Sequence, residues 1–529
     1  MKRIFSLLLC AAMLVTFSAC GNQGDKNPVH TASTVLLTDS DGVTDIALAD
    51  EGVSCDSEDV YTANDIVFYP EGKDFTFGEG GPEDAHSQAE ADRHTVVHIT
   101  APGVYRLSGS LSAGQVAVDL DEDAKDDPTA VVTLILDGVD ITCSVAPAVI
   151  FYNVYECGDA DEPRSDVDTS AAGANVIIAD GSVNNISGAY VARIYKSVEL
   201  NEAGTEVVDS KKLHKYDGAF YSKMSMNLFG GEAGDGVLNI RASNEGLDSE
   251  MHLTIHGGKI NISSGNDGIN TNEDGVSVTT VNGGELTITV NGSTGEGDGI
   301  DSNGWLVING GTVMASACAN SADAGIDSDM GISINGGTVI ATGHMLDHIE
   351  ATGQTFAVFT FATRQRGGST YTLKNAEGAE VLSCTPANDF SYLVMAHDAL
   401  TAGDYSLWRG SEQLSGSAGK GMGAMIGGMR PDGGAFGGQT PPGAGERPEH
   451  GEGAVPPEGF DFPHGGEDAV PPEGFEAPGA MAPPNGGEMP QGGFGGGRGP
   501  GGTQRPGDVA GESSAVFSMS EGANYFMLT

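Results

Sequence analysis

The sequence predicts an all-β protein: a short single-stranded parallel β-helix (a β-solenoid), a small C-terminal antiparallel β module and a long disordered Gly/Pro-rich segment. Three observations predict it. An internal repeat of 26 or 27 residues runs between Asp217 and Gly343. Each copy alternates apolar and polar residues at strand period rather than at 3.6. Glycine, at 80 of 529 residues, punctuates the pattern at constant offsets.

The chain opens with Lys2 and Arg3 before an apolar run of 14 residues, Ile4 to Phe17, too short to span a bilayer comfortably. Ser18-Ala19-Cys20-Gly21 follows and resembles a bacterial lipobox, although Phe17 stands where leucine is usual. Residues 1–20 therefore read as a lipoprotein signal peptide, with Cys20 as the lipidated residue and 21–60 as tether and linker. Of the remaining cysteines, Cys55, Cys143, Cys157, Cys318 and Cys384 are scattered without a CxxC pair, which excludes a zinc ribbon or thioredoxin motif. Cys143 with Cys157 is one candidate disulfide that spacing alone does not decide.

Residues 61–350 carry the β-helix. Short β-branched runs such as Val96–Ile99, Gln115–Asp119 and Val131–Leu136 each close on a turn residue. Four repeats then share one plan. Asn244-Glu245-Gly246-Leu247-Asp248 leads to Gly257-Gly258, and Asp267-Gly268-Ile269-Asn270 leads to Gly283-Gly284. Asp298-Gly299-Ile300-Asp301-Ser302-Asn303 leads to Gly310-Gly311, and Ala324-Gly325-Ile326-Asp327-Ser328-Asp329 leads to Gly336-Gly337. Asp217-Gly218-Ala219-Phe220 is a degenerate fifth copy. The first glycine precedes its Gly-Gly pair by 11 residues in three copies and by 15 in the second. Stacking such units lines up Leu247, Ile269, Ile300 and Ile326 as an inward ladder. The preceding glycine is expected to take positive φ at a corner, and the residue after the ladder position is expected to point outward.

Residues 351–415 read as an antiparallel β module. Residues 416–512, rich in Gly, Pro and Met and with almost no aliphatic runs, cannot bury enough apolar surface to fold and read as a disordered insertion. Residues 513–529 again look like strands, expected to return to the β module.

The chemistry sits at the acidic corners. The chain has 74 acidic against 25 basic residues, a net charge of −49, which repels nucleic acid and favours cations. Strands stacked about 4.8 Å apart bring like carboxylates together at roughly 3 kcal/mol per adjacent pair for a dielectric of about 20. Asp248, Asp267, Asn270, Asp298, Asp301, Asn303, Asp323, Asp327 and Asp329 form an oxygen-only set that suits Ca²⁺. The alternative is that Asp and Asn here are simply solvated turn residues. His252 and His256 share one strand face and read as an exposed pair. Trp305 is a candidate to stack on a sugar ring, with packing as its other reading. Lys223, in a modest basic cluster with Lys211 and Lys212, is a candidate to hold an acidic polysaccharide. Gly-x-Ser-x-Gly, HExxH and phosphate-loop motifs are absent.

At Gly103–Gly109, Leu134–Thr142, Asn175–Gly188, the Gly-Ile-Asp-Ser and Asn-Gly-Gly-Thr-Val units and Phe356–Trp408, the chain resembles a family of bacterial cell-surface carbohydrate-binding domains. The resemblance covers about residues 95–410. It implies a calcium-containing parallel β-helix of the polygalacturonate- and cellulose-binding type. The expected function is non-catalytic binding of an acidic plant-type polysaccharide with Ca²⁺ mediation, by a monomer lipid-anchored on the extracellular face of the membrane. A calcium-dependent uronate lyase and a structural surface adhesin are the alternatives. Such a lyase needs a Lys or Arg base beside calcium; Lys223 and Lys259 are the nearest here, and the repeat places neither well.

Overall fold

The computed structural model describes residues 42–69, 84–192, 195–201, 207–212, 216–351, 353–419 and 513–529. The export segment with Cys20, the start of the tether and residues 420–512 lie outside them. Among the described residues the protein is nearly all β, in large mixed sheets, with one short α-helix, Gln88–Ala91, capped by Ser87, and a 3-10 turn at Glu122–Asp126. No helix among them is long and apolar enough to cross a membrane.

Three ladders of mostly parallel strands carry the repeats. The first joins Gly114–Asp119, Val149–Asn153, Gly218–Ser222, Glu245–Ser249, Ile269–Thr271 and Ile300–Ser302. The second joins Ala174–Ile178, Met226–Gly230, Leu253–Ile255, Val278–Val281, Trp305–Ile308 and Gly331–Ile334. The third joins Val183–Gly188, Val237–Ala242, Lys259–Ser264, Glu285–Val290, Thr312–Ser316 and Thr338–Gly343. The chain visits the ladders in this order once per repeat, so every pairing joins residues one repeat apart.

Register follows the aliphatic positions. Phe220, Leu247, Ile269 and Ile300 pair in succession and are fully buried. The column continues into the fourth repeat through the Ile300 N–H on the Gly325 carbonyl, 3.2 Å, and the Asp327 N–H on the Ile300 carbonyl, 2.7 Å. The second repeat takes up its four extra residues between Thr271 and Val278, leaving the strands on either side in register.

The two sets of glycines do different work. The second glycine of each pair, Gly258, Gly284, Gly311 and Gly337, has φ between +78° and +91°. The glycines before the aliphatic ladder do not take positive φ, contrary to the expectation for them. Their constraint is contact: a Cβ on Gly299 would lie 2.3 Å from the Gly325 carbonyl oxygen and 2.8 Å from Ala315 Cβ. Gly311→Ala combines a left-handed backbone with a Cβ 2.7 Å from the Gly284 oxygen. It should destabilise by about 1–2 kcal/mol from the backbone alone, measured as a lower urea midpoint, whereas alanine at Gly138, where nothing lies within 4 Å and φ is +80°, should show only the backbone part.

The folded region begins before residue 61. Val43–Leu48, within the stretch read as tether, pairs in parallel with Gly103–Leu111 and buries Ile46 and Leu48. Its burial rests on two residues, too few to stand out in acidic surroundings. At the other end Phe390–Ala396 pairs antiparallel with both Thr338–Gly343 and Phe356–Gln365, covering the last parallel edge. Ala523–Leu528 pairs in parallel with Phe356–Gln365, and Phe517–Met519 pairs with Gly403–Arg409. Gly416–Ala418, placed by composition in the disordered stretch, is a strand against Ala523–Leu528. A second core, built on Phe359, Tyr371, Phe390 and Phe526, lies here. Cys143 and Cys157 are not bonded to each other; all five described thiols are free.

Candidate functional site

The acidic corner residues line the first ladder, and the structure turns most of them inward from water. Asp248, Asn270 and Asp327 follow the aliphatic column and were expected to point outward. They are nonetheless buried, at 0%, 6% and 5% exposure. The reason is stacking: Tyr221, Asp248, Asn270 and Asp301 pair in succession, Asp327 follows through its N–H on the Ile300 carbonyl, and Asn272 Nδ2 lies against Asp248. Only Asp301 in this column is half-exposed.

Two carboxylate triads result. Asp298, Asp301 and Asp327 bring oxygens within 4.8 Å of one another, and so do Asp217, Glu245 and Asp248. The repeat carrying Asn270 and Asn272 separates them. Asn272 Nδ2 donates to Asp248 Oδ1 at 2.5 Å, and Asn270 Nδ2 donates to Glu245 Oε1 at 3.2 Å. Amides thus stand in the column where further carboxylates would add repulsion. Asp217 and Glu245 were not among the ligands read from the sequence. They occupy the position before the corner glycine, as Asp267 and Asp298 do, and that shared place was the available signal.

Asp267 and Asp298 link repeats through their backbones. Asp267 Oδ1 accepts the Asp298 N–H at 2.6 Å, and Asp298 Oδ1 accepts the Ala324 N–H at 2.5 Å. Burial, followed by the charges of Asp301 and Glu245, holds the Asp267 carboxyl well above the ordinary carboxylate range. Burial, then Asp267, Asp327 and Asp301, does the same to Asp298. Carboxyls in such a site hold protons or a cation.

The donor set fits Ca²⁺. It is all oxygen, buried except for half-exposed Asp301, and irregular, and between the triads the buried Asn270 Oδ1 has no hydrogen-bond partner among the described residues. Asp298, Asp301 and Asp327 would hold an ion in one triad, and Asp217, Glu245 and Asp248 in the other.

The remaining sequence candidates lie apart. Asp323 accepts the Gly297 N–H at 2.6 Å and the Ser321 hydroxyl. Asn303 donates to the Asn272 carbonyl at 2.9 Å and to Asp274. Asp329 is exposed. Trp305 is half-buried on the second ladder, paired with Val278 and Gly331. Lys223 is exposed at the end of Gly218–Ser222, about 14 Å from the Asp301 triad at three strand spacings and one strand from Asp248. Lys259 lies on the third ladder, ion-paired to Glu285 at 3.7 Å. His252 is not a surface residue: it is 2% exposed, takes the Val278 N–H on Nδ1 at 3.1 Å, and burial lowers its pKa to about 4. His256 is half-buried and stacks on Phe229 at 4.5 Å. Alternation along one strand made this pair look alike and exposed, but it could not show what lies above them.

No curated protein and no solved structure matches this chain. A family model does, that of carbohydrate-binding domain-containing proteins, over residues 93–403. That stretch holds the three ladders, both triads and the first strands of the C-terminal module. Because the match spans more than half of the 529 residues, the chain belongs to the family of carbohydrate-binding domain-containing proteins.

Proposed function

We infer that the protein binds an acidic, plant-type polysaccharide without turning it over, and that Ca²⁺ mediates the contact. Family membership supports carbohydrate binding and suggests a non-catalytic role. In this reading the three ladders are the faces of a parallel β-helix, and the triads are cation sites built into it. The observation that carries the calcium contact is the exposure of Asp301: of its triad, Asp298 and Asp327 are buried while Asp301 is half-open to solvent. Asp298, Asp301 and Asp327 would hold an ion there, and the half-open side at Asp301 would let a sugar carboxylate reach it. A chain of net charge −49 attracts a polyanion only through such a cation.

Asp301→Asn should weaken polygalacturonate binding in calcium at least tenfold, as measured by affinity electrophoresis, and chelator should do the same to the natural chain. Retention of polygalacturonate that is indifferent to both would remove the calcium contact while leaving carbohydrate binding in place. No observation favours the lyase or the adhesin reading over this one. Cys20 as a lipid anchor places the protein, as a monomer, on the outer face of the cell membrane. Cys20→Ser should then release it from the membrane pellet into the soluble fraction.

A further inference from the structure

The second of the two tryptophans, Trp408, lies beyond the family match, in the C-terminal module. There Tyr371–Asn375 pairs antiparallel with Glu380–Cys384 on one side and Gly403–Arg409 on the other. Tyr371, Leu373, Tyr405 and Leu407 turn into the second core. Strand alternation puts Thr372, Lys374, Ser383, Ser406 and Trp408 on the opposite, half-exposed face.

That face is organised around the indole. Thr372 stands in register between Ser383 and Trp408, and its hydroxyl shares a 3.0 Å hydrogen bond with Ser383. The Trp408 Nε1–H donates to Ser406 Oγ at 3.0 Å, which fixes the ring's edge. Lys374 stands opposite Glu380 in register, yet its Nζ lies over the indole, 4.7 Å from the ring centroid. A cation over an exposed ring is held weakly and on a flexible stem. The result is a flat aromatic surface with one movable donor above it and hydroxyls around it. This suits a pyranose, which has an apolar C–H face and a polar rim.

The surrounding charge selects among sugars. Glu377, Glu380, Asp404 and Glu412 are all exposed here. Of the two cations, Arg409 is tied to Glu412 at 2.6 Å. A uronate would meet net negative charge, whereas an uncharged glycan would find acceptors for its hydroxyls.

We propose that this face is a second glycan-binding surface, where Trp408 supports one ring of a neutral polysaccharide and Lys374, Ser406 and Thr372 meet its hydroxyls. It rests on the reading of the chain as carbohydrate-binding, but not on the calcium contact. In full-length Trp305→Phe, Trp408 is the sole tryptophan and reports directly. This variant is titrated in chelator with cellohexaose, xylohexaose and mannohexaose, following indole emission and heat. At least one neutral hexasaccharide should bind and shift the emission. Trp408→Ala should weaken that binding at least tenfold, and Trp408→Phe should weaken it less. Heat of binding with no change in emission would place the glycan elsewhere and overturn the proposal. So would binding of polygalacturonate in calcium with no response to any of the three neutral sugars. If neither class of sugar binds, the carbohydrate reading itself fails and takes this surface with it.

Discussion

Ile300→Ala should lower the free energy of unfolding by about 3 kcal/mol, within the 2–5 kcal/mol typical of emptying a fully buried aliphatic site. Ile300 is 0% exposed and stands between Ile269 and the fourth repeat. The site cannot collapse inward, because the strands on either side are fixed by backbone hydrogen bonds at constant spacing and Gly299 already lies against the Gly325 carbonyl. The cavity therefore persists, and its cost adds to the lost transfer energy. The effect should also reach the second triad. Ile300's carbonyl takes the Asp327 N–H, and its neighbour in sequence is Asp301, so both ligands hang from this backbone. Urea unfolding should show a lower midpoint at unchanged slope, with weaker calcium stabilisation than in the natural chain. The control is Val183→Ala, at 55% exposure, which should cost under about 0.5 kcal/mol. Equal losses in the two variants would contradict the placement of Ile300 in a packed column.

What could be read from the sequence and what could not divide along a physical line. The Leu247, Ile269 and Ile300 positions could be aligned beforehand because burial demands an aliphatic side chain once per repeat, and they pair in that register. The Gly-Gly corners carried the same information, since positive φ selects glycine strongly. The single glycines did not: a glycine required by a neighbour's carbonyl looks the same in sequence as one required by φ. Alternation gave the acids an outward position, and Asp248, Asn270 and Asp327 are buried there all the same. A residue leaving a sheet reaches water only if nothing is stacked over it, and Asp248 and Asp327 have neighbours one strand away. Glu245 and Asp217 were missed for a related reason. The repeat displays them beside a glycine, where turn chemistry is sufficient explanation, and only the folded register sets them against Asp248. Val43–Leu48 shows the limit of composition, because a six-residue strand that buries only Ile46 and Leu48 does not stand out from the acidic stretch on either side of it.

The stabilisation that calcium confers should shrink as pH falls from 7 toward 5. Each triad binding an ion at 100 times its dissociation constant would add about 2.7 kcal/mol to the folded state. In chelator, protonation relieves the charge of the buried carboxyls. Asp267 and Asp298 have native pKa values raised first by burial and then by neighbouring carboxylates, Asp301 and Glu245 for Asp267 and Asp267, Asp327 and Asp301 for Asp298. A raised carboxyl contributes stability that is complete below the unfolded value, near 3.8, and is lost as pH rises through the native value. The chelated protein therefore loses this contribution at neutral pH, and a bound ion would restore it by taking the protons' place. Acidification reverses the exchange, because protons return to the carboxyls and calcium is released. Histidine titration runs the other way in the same window: His252, with its pKa lowered to about 4, takes a proton in the unfolded chain first, so acid destabilises the fold through it. That background is common to both conditions and cancels in the difference between melting temperatures with calcium and with chelator. The difference should be largest near pH 7, should fall steadily toward pH 5, and should be reduced throughout in Asp298→Asn. A difference independent of pH would mean that whatever calcium binds, it is not these proton-competent carboxylates. A natural chain that melts at the same temperature with calcium and with chelator at pH 7 would remove the cation from the columns altogether and leave their charge to be carried by protons.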